Sequence, residues 1–124
     1  MLFRSWGAEF YAVEPLPGEC IVIKHRFSAF IGTDLDLILR AQGIETIIMT
    51  GVGTNVCVES TSRDGFMLDY YLVFVGDCTA TASGPEFHNH TVSSMARWGD
   101  VVNAADLSAV WAAQRASEPA EAAV

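Results

Sequence analysis

The sequence predicts an α/β fold, a three-layer, doubly wound parallel sheet formed by a single domain over residues 1–124. Three observations lead there. Short, almost uninterrupted apolar runs recur at 20–25, 44–50 and 71–75, the pattern of strands buried on both faces. Helix-length stretches with start and stop signals lie between them, and strands alternating with helices imply parallel pairing through right-handed crossovers. Hydrophobic residues make up 51% of the chain, so composition speaks for a core and against disorder.

Taken in order, residues 1–18 read as a loop closed by Pro15 and Pro17, which remove backbone donors and favour extended conformations. The run 20–25 is the first strand and sets Lys24 at its C-terminal end. Thr33 and Asp36 make a capping-box-like start to a helix over 33–42, with Leu35, Ile38 and Leu39 on one side and Gly43 in the left-handed stop position. A second strand over 44–50 enters a turn bracketed by Gly51 and Gly53, and a helix follows from Asn55 to about Leu68. The third strand, 71–75, leads into a Gly, Ser and Thr-rich loop over 76–84. Pro85 suits the first turn of a helix reaching about Trp98. A short strand near Val101 and a helix over 105–115 complete the fold, and 116–124 is expected to fray.

Charge and cysteine usage exclude several functions. A net charge of −8 with seven scattered Lys and Arg offers no basic stripe for nucleic acid or an anionic membrane. No apolar run approaches the ~20 residues that span a bilayer, and no signal-peptide pattern opens the chain. Three cysteines, Cys20, Cys57 and Cys78, have no C-x-x-C pairing, which suits reduced thiols in a cytoplasm.

The chemistry concentrates in 46–58, TIIMTGVGTNVCV. Here a strand drives into a glycine turn and delivers Cys57 where a helix begins, near main-chain N–H groups that favour a thiolate and an oxyanion. The plain alternative is a small buried hydrophobe. A free thiol is only a few per cent ionised at neutral pH, so a cation is needed, and Lys24 at a neighbouring strand end is the candidate. Thr54 and Asn55 read as cap and turn residues. His88 and His90 stand two apart on a helix, point to nearly opposite sides and make no metal site. Asp77 follows the third strand, on the far side of Cys57 from Lys24, and Glu59 points away from the thiol.

The segment Gly51 to Glu59, with Thr61 and Arg63-Asp64 after it, and Lys24 within IVIKHRFSAF upstream, resembles the isochorismatase-like cysteine hydrolases. Within that family ESTSRDGFMLDYY and KHRFSAF look most like the ureidoacrylate amidohydrolase branch of pyrimidine breakdown. The resemblance implies a small amide or ureido substrate, attack by Cys57 through a thioester, assistance by Lys24, no cofactor or metal, and a homo-oligomer. It implies an oxyanion hole from the N–H groups of Gly53 and Cys57, a cis peptide at Val52-Gly53, and a pocket near Trp6, Phe27 and Phe30. Phe27 stands where that branch tends to have a tyrosine. The family triad also has an aspartate ending an apolar first strand far upstream of the lysine. Residues 1–10 contain no such run, so the fold is expected to be truncated at its N-terminus, with Lys24's strand short of neighbours. Two further readings therefore stand beside hydrolysis: an inactive fragment or pseudoenzyme that assembles with a partner, and a redox-reactive thiol protein.

Overall fold

Among the described residues three parallel strands, in the order β1-β2-β3, form the sheet. The computed structural model describes residue 10 and residues 14–117. Along the sequence come α1 (Leu35–Ala41), β1 (Thr46–Val52), a π-helical turn (Thr54–Val58), α2 (Glu59–Met67), β2 (Tyr71–Ala80), α3 (Pro85–Met95), β3 (Asp100–Val102) and α4 (Ala104–Ser117). The α/β class with a parallel sheet is the predicted one.

Stop and start signals act where the sequence places them. Gly43 takes φ 66°, its N–H bonds Arg40 O at 3.0 Å, and Ile44 N–H bonds Leu39 O at 3.0 Å, so the last carbonyls of α1 are satisfied. Pro85 opens α3, where a missing N–H costs nothing. The expected capping box does not form. Thr33 Oγ1 accepts from Leu35 N–H at 3.3 Å, while Asp36 turns instead to Arg40 and Tyr70.

Two expectations are corrected. Residues 20–25 are not a strand and lie outside the sheet; Ile21 and Ile23 are 59% and 64% exposed. An apolar run becomes a buried strand only with partners for its N–H and C=O groups, and among the described residues no strand lies beside this one. Lys24 therefore does not occupy a strand end. The second correction concerns β2, which continues through the expected 76–84 loop as far as Ala80. Its pairing with β1 breaks register between Met49 and Gly51, and Gly51 and Val52 then meet Thr79 and Ala80. Helix α4 also runs on to Ser117, into the expected tail; residues 118–124 lie outside the described ones.

The core gathers Met49 of β1, Leu72 and Phe74 of β2, Val58, Met95, Tyr70 and Phe30. Gly99 marks the tightest approach, because a Cβ there would lie 2.2 Å from the Leu72 carbonyl oxygen. Helix α1 docks through polar contacts: Tyr70 Oη donates to Asp36 Oδ1 at 2.8 Å, Arg40 Nε meets the same carboxylate at 3.0 Å, and the Arg40 guanidinium lies 5.3 Å over the Tyr70 ring. The Tyr70 hydrogen bond is the chief cause that lowers Asp36 below the usual carboxylate range; desolvation opposes it and Arg40 adds to it. Burial, followed by the facing carboxylate, raises Tyr70.

Phe74→Ala, which empties the centre of β2, is expected to lower unfolding free energy by about 3–5 kcal/mol, whereas Ile23→Ala changes it by less than about 0.5 kcal/mol, both read by urea titration. Asp36 is depressed in the folded chain, so its contribution is present above the unfolded carboxylate value and is lost as pH falls through the folded one. The urea midpoint should accordingly drop as pH is taken below about 4, and Asp36→Asn should flatten that decline.

Candidate active site

The end of β1 and the start of α2 build the turn that holds Cys57. Gly51 adopts φ 104°, the Val52-Gly53 peptide is cis, and Gly53 (φ −94°, ψ 140°) precedes the π-helical turn. The carbonyl of Gly53 accepts from Val56 N–H at 3.1 Å and from Val58 N–H at 3.2 Å. These are i−3 and i−5 bonds, and they straddle Cys57. Among the described residues the α-helical i−4 bond from Cys57 to this carbonyl is absent, as π geometry requires. Thr54 and Val58 are buried beneath the turn, and Cys57 is half-buried with a free thiol.

One helical turn on, Thr61 ties this face of α2 to the upstream segment. Its hydroxyl donates to Cys57 O at 2.7 Å and accepts from Ala29 N–H at 3.0 Å. Lys24 belongs to that segment, but its ammonium donates to Arg26 O at 2.9 Å and Phe27 O at 3.2 Å. Among the described residues it makes no hydrogen bond or ion pair with Cys57. The aromatic residues separate as well. Phe27 is 63% exposed, whereas Phe30 is only 9% exposed in the core, its ring stacked on Tyr70 with centroids 5.7 Å apart. Trp6 lies outside the described residues. Thus Gly53 and Cys57 share one turn, Lys24 and Phe27 lie on the segment before α1 that the bond between Ala29 and Thr61 ties to α2, and Phe30 is a packing residue.

The model of the isochorismatase domain family matches residues 1–106. This chain belongs to the isochorismatase family. It superposes on an isochorismatase-like hydrolase from Alkaliphilus metalliredigens with TM-score 0.83 and 36% identity, over 87% of this chain and 59% of that one. An isochorismatase family protein from Desulfovibrio vulgaris gives 0.80 and 36%, over 88% and 58%. A cysteine hydrolase from Pseudomonas syringae gives 0.72 and 32%, over 76% and 49%. The chain thus spans under three fifths of the length of these relatives. No helix among its described residues is long and apolar enough to cross a membrane.

In this isochorismatase-family chain the polar residues around the thiol act differently from their sequence reading. Thr54 and Asn55 do not cap the turn, which has no side-chain cap. Thr54 Oγ1, fully buried, pairs with His88 Nδ1 of α3 at 3.0 Å. Asn55 reaches the β2–α3 loop, accepting from Thr81 Oγ1 at 2.6 Å and donating to Ser83 Oγ at 3.3 Å. Glu59 accepts from Thr91 Oγ1 of α3 at 3.0 Å and pairs with Arg63 at 2.7 Å. The partners in α3 and the β2–α3 loop stand far away in sequence, so no local pattern announces them, whereas Arg63 lies one helical turn from Glu59. Asp77 is engaged elsewhere: its carboxylate accepts from Ala104 N–H at 2.9 Å and holds the start of α4. Among the described residues no group of three or more His, Cys, Asp or Glu side chains could hold a metal.

Asn55→Ala should free the 81–83 loop from the turn. The expected outcome is faster amide hydrogen exchange at Ser83, whose N–H bonds Thr81 Oγ1 at 3.2 Å, with little change in exchange across β3.

Proposed function

We propose that the chain acts as a cysteine hydrolase on a C–N bond of a small amide or ureido compound, with ureidoacrylate-like substrates the best fit. One observation carries this reading: the thiol of Cys57 stands half-buried on a π-helical turn whose first carbonyl is taken up by the neighbours of Cys57. That arrangement supports a role for the Cys57 N–H, together with that of Gly53, in receiving the oxygen of a tetrahedral intermediate.

In the proposed reaction Cys57 Sγ attacks the carbonyl or carbamoyl carbon and the negative charge moves to oxygen. The C–N bond then breaks, ammonia or an amine leaves with a proton, and a thioester remains on Cys57. Water adds to the thioester, giving the acid and restoring the thiol. Lys24 is proposed as the cation that favours the thiolate, which requires its ammonium to leave the Arg26 and Phe27 carbonyls. The bond between Ala29 and Thr61 supports this by holding the Lys24 segment against α2. The ureido preference rests on the likeness of 24–30 and 59–71 to the ureidoacrylate branch, and the exposed Phe27 ring is the proposed substrate contact. The Pseudomonas syringae relative is a cysteine hydrolase, which agrees with thiol chemistry.

Ammonia release from a panel of ureido compounds and primary amides tests the proposal. Turnover should vanish in Cys57→Ala, and Lys24→Met should lower kcat by about 100-fold. Turnover that survives Cys57→Ala overturns the assignment. A Cys57 that alkylates readily, in a chain that turns over no amide, would favour the reactive-thiol reading.

A further inference from the structure

The chain carries seven lysines and arginines against fifteen acidic residues, yet two of its arginines share a single cleft. Arg63 of α2 and Arg97, just beyond α3, line it with His90, Ser93, Ser94 and Trp98, around a volume of about 420 Å³. We propose that this cleft is a binding site for a small, soluble phosphate-bearing ligand. It is separate from the Cys57 chemistry and does not depend on it.

The donors there are numerous and partly unspent. Arg63 is fixed by Glu59, with Nε and Nη2 at 3.0 and 2.7 Å from one carboxylate oxygen, and its guanidinium lies 5.1 Å over the Trp98 ring. Both contacts orient a planar fork while leaving its remaining N–H groups without an acceptor among the described residues. The Arg97 guanidinium has no side-chain partner among them at all. Trp98 Nε1 is buried and finds no acceptor among the described residues, so it offers nothing to a ligand in the cleft; the Trp98 ring contributes the face on which Arg63 rests. Ser93 and His90 add polar groups at the rim, whereas Ser94 Oγ is already bonded to Thr91 O at 3.2 Å.

Phosphate fits this set better than carboxylate. A phosphate monoester presents three terminal oxygens, and guanidinium forks bind such oxygens in pairs. The volume leaves room for part of the esterified group. A small ligand is favoured over a polyanionic surface because the overall charge of −8 repels extended anions, while a local site is shielded from that charge beyond about 8 Å at physiological salt.

The test titrates the intact chain with inorganic phosphate at constant ionic strength, with chloride as the matched salt, following tryptophan emission and the heat of binding. The expected result is saturable binding with a dissociation constant on the order of 1 mM. Arg97→Gln should weaken it about tenfold, Arg97→Lys less so. Trp98→Phe should remove the emission change while the heat persists, and circular dichroism should confirm that each variant is folded. Responses to phosphate no larger than those to chloride overturn the proposal. So does Arg97→Gln binding as tightly as the parent chain, and so does an emission change that survives Trp98→Phe.

Discussion

Two backbone donors, from Val56 and Val58, share the carbonyl of Gly53, and the arrangement around Cys57 depends on that sharing. A regular α-helix would spend the Cys57 N–H on this carbonyl. The π-helical turn gives the bond to the residues on either side and sets the thiol half-exposed at the junction of β1 and α2. Strands β1 and β2 change register between Met49 and Gly51, and the re-registered pairs, Gly51 with Thr79 and Val52 with Ala80, lead directly up to the turn at Thr54. Gly51 suits the junction, since φ near 104° is adopted at little cost only by glycine, which has no Cβ.

Such a turn keeps its shape because it is held from several sides. Thr54 is tied to α3 through His88, Asn55 to the β2–α3 loop through Thr81 and Ser83, Glu59 to α3 through Thr91, and Thr61 to the upstream segment through Ala29. Each neutral bond contributes only about 0.5–1.5 kcal/mol to stability. Their effect here is positional: ties in different directions leave the turn few ways to shift. Lys24 lacks this support, because its ammonium rests on carbonyls of its own loop. The turn around Cys57, the proposed nucleophile, is tied from several sides, and the cation proposed to serve it is on an exposed segment.

Legibility in the sequence follows the range of the interaction. The strand, glycine turn and helix around Cys57, the stop at Gly43 and the start at Pro85 are local devices, and all were readable from neighbouring residues. The run 20–25 reads as a strand from its apolar pattern alone, but pattern cannot supply the strand partners that pairing needs. The extension of β2 through Gly76 to Ala80 was hidden because glycine, serine and threonine clusters signal loops, and only the register break opposite Gly51 makes pairing there possible. Thr54, Asn55 and Glu59 bond across the fold to residues 26 or more positions away, and Phe30 packs on Tyr70. Their residue types fit both a cap or pocket role and the observed one, so tertiary geometry decides.

Competitive alkylation of the three cysteines tests the central claim most directly. Cys20 and Cys78 are exposed while Cys57 is half-buried, so accessibility alone ranks Cys57 last. If the turn activates its thiol, limiting iodoacetamide at neutral pH, followed by peptide mass spectrometry, will label Cys57 first. Labelling of Cys20 and Cys78 ahead of Cys57 would contradict the account.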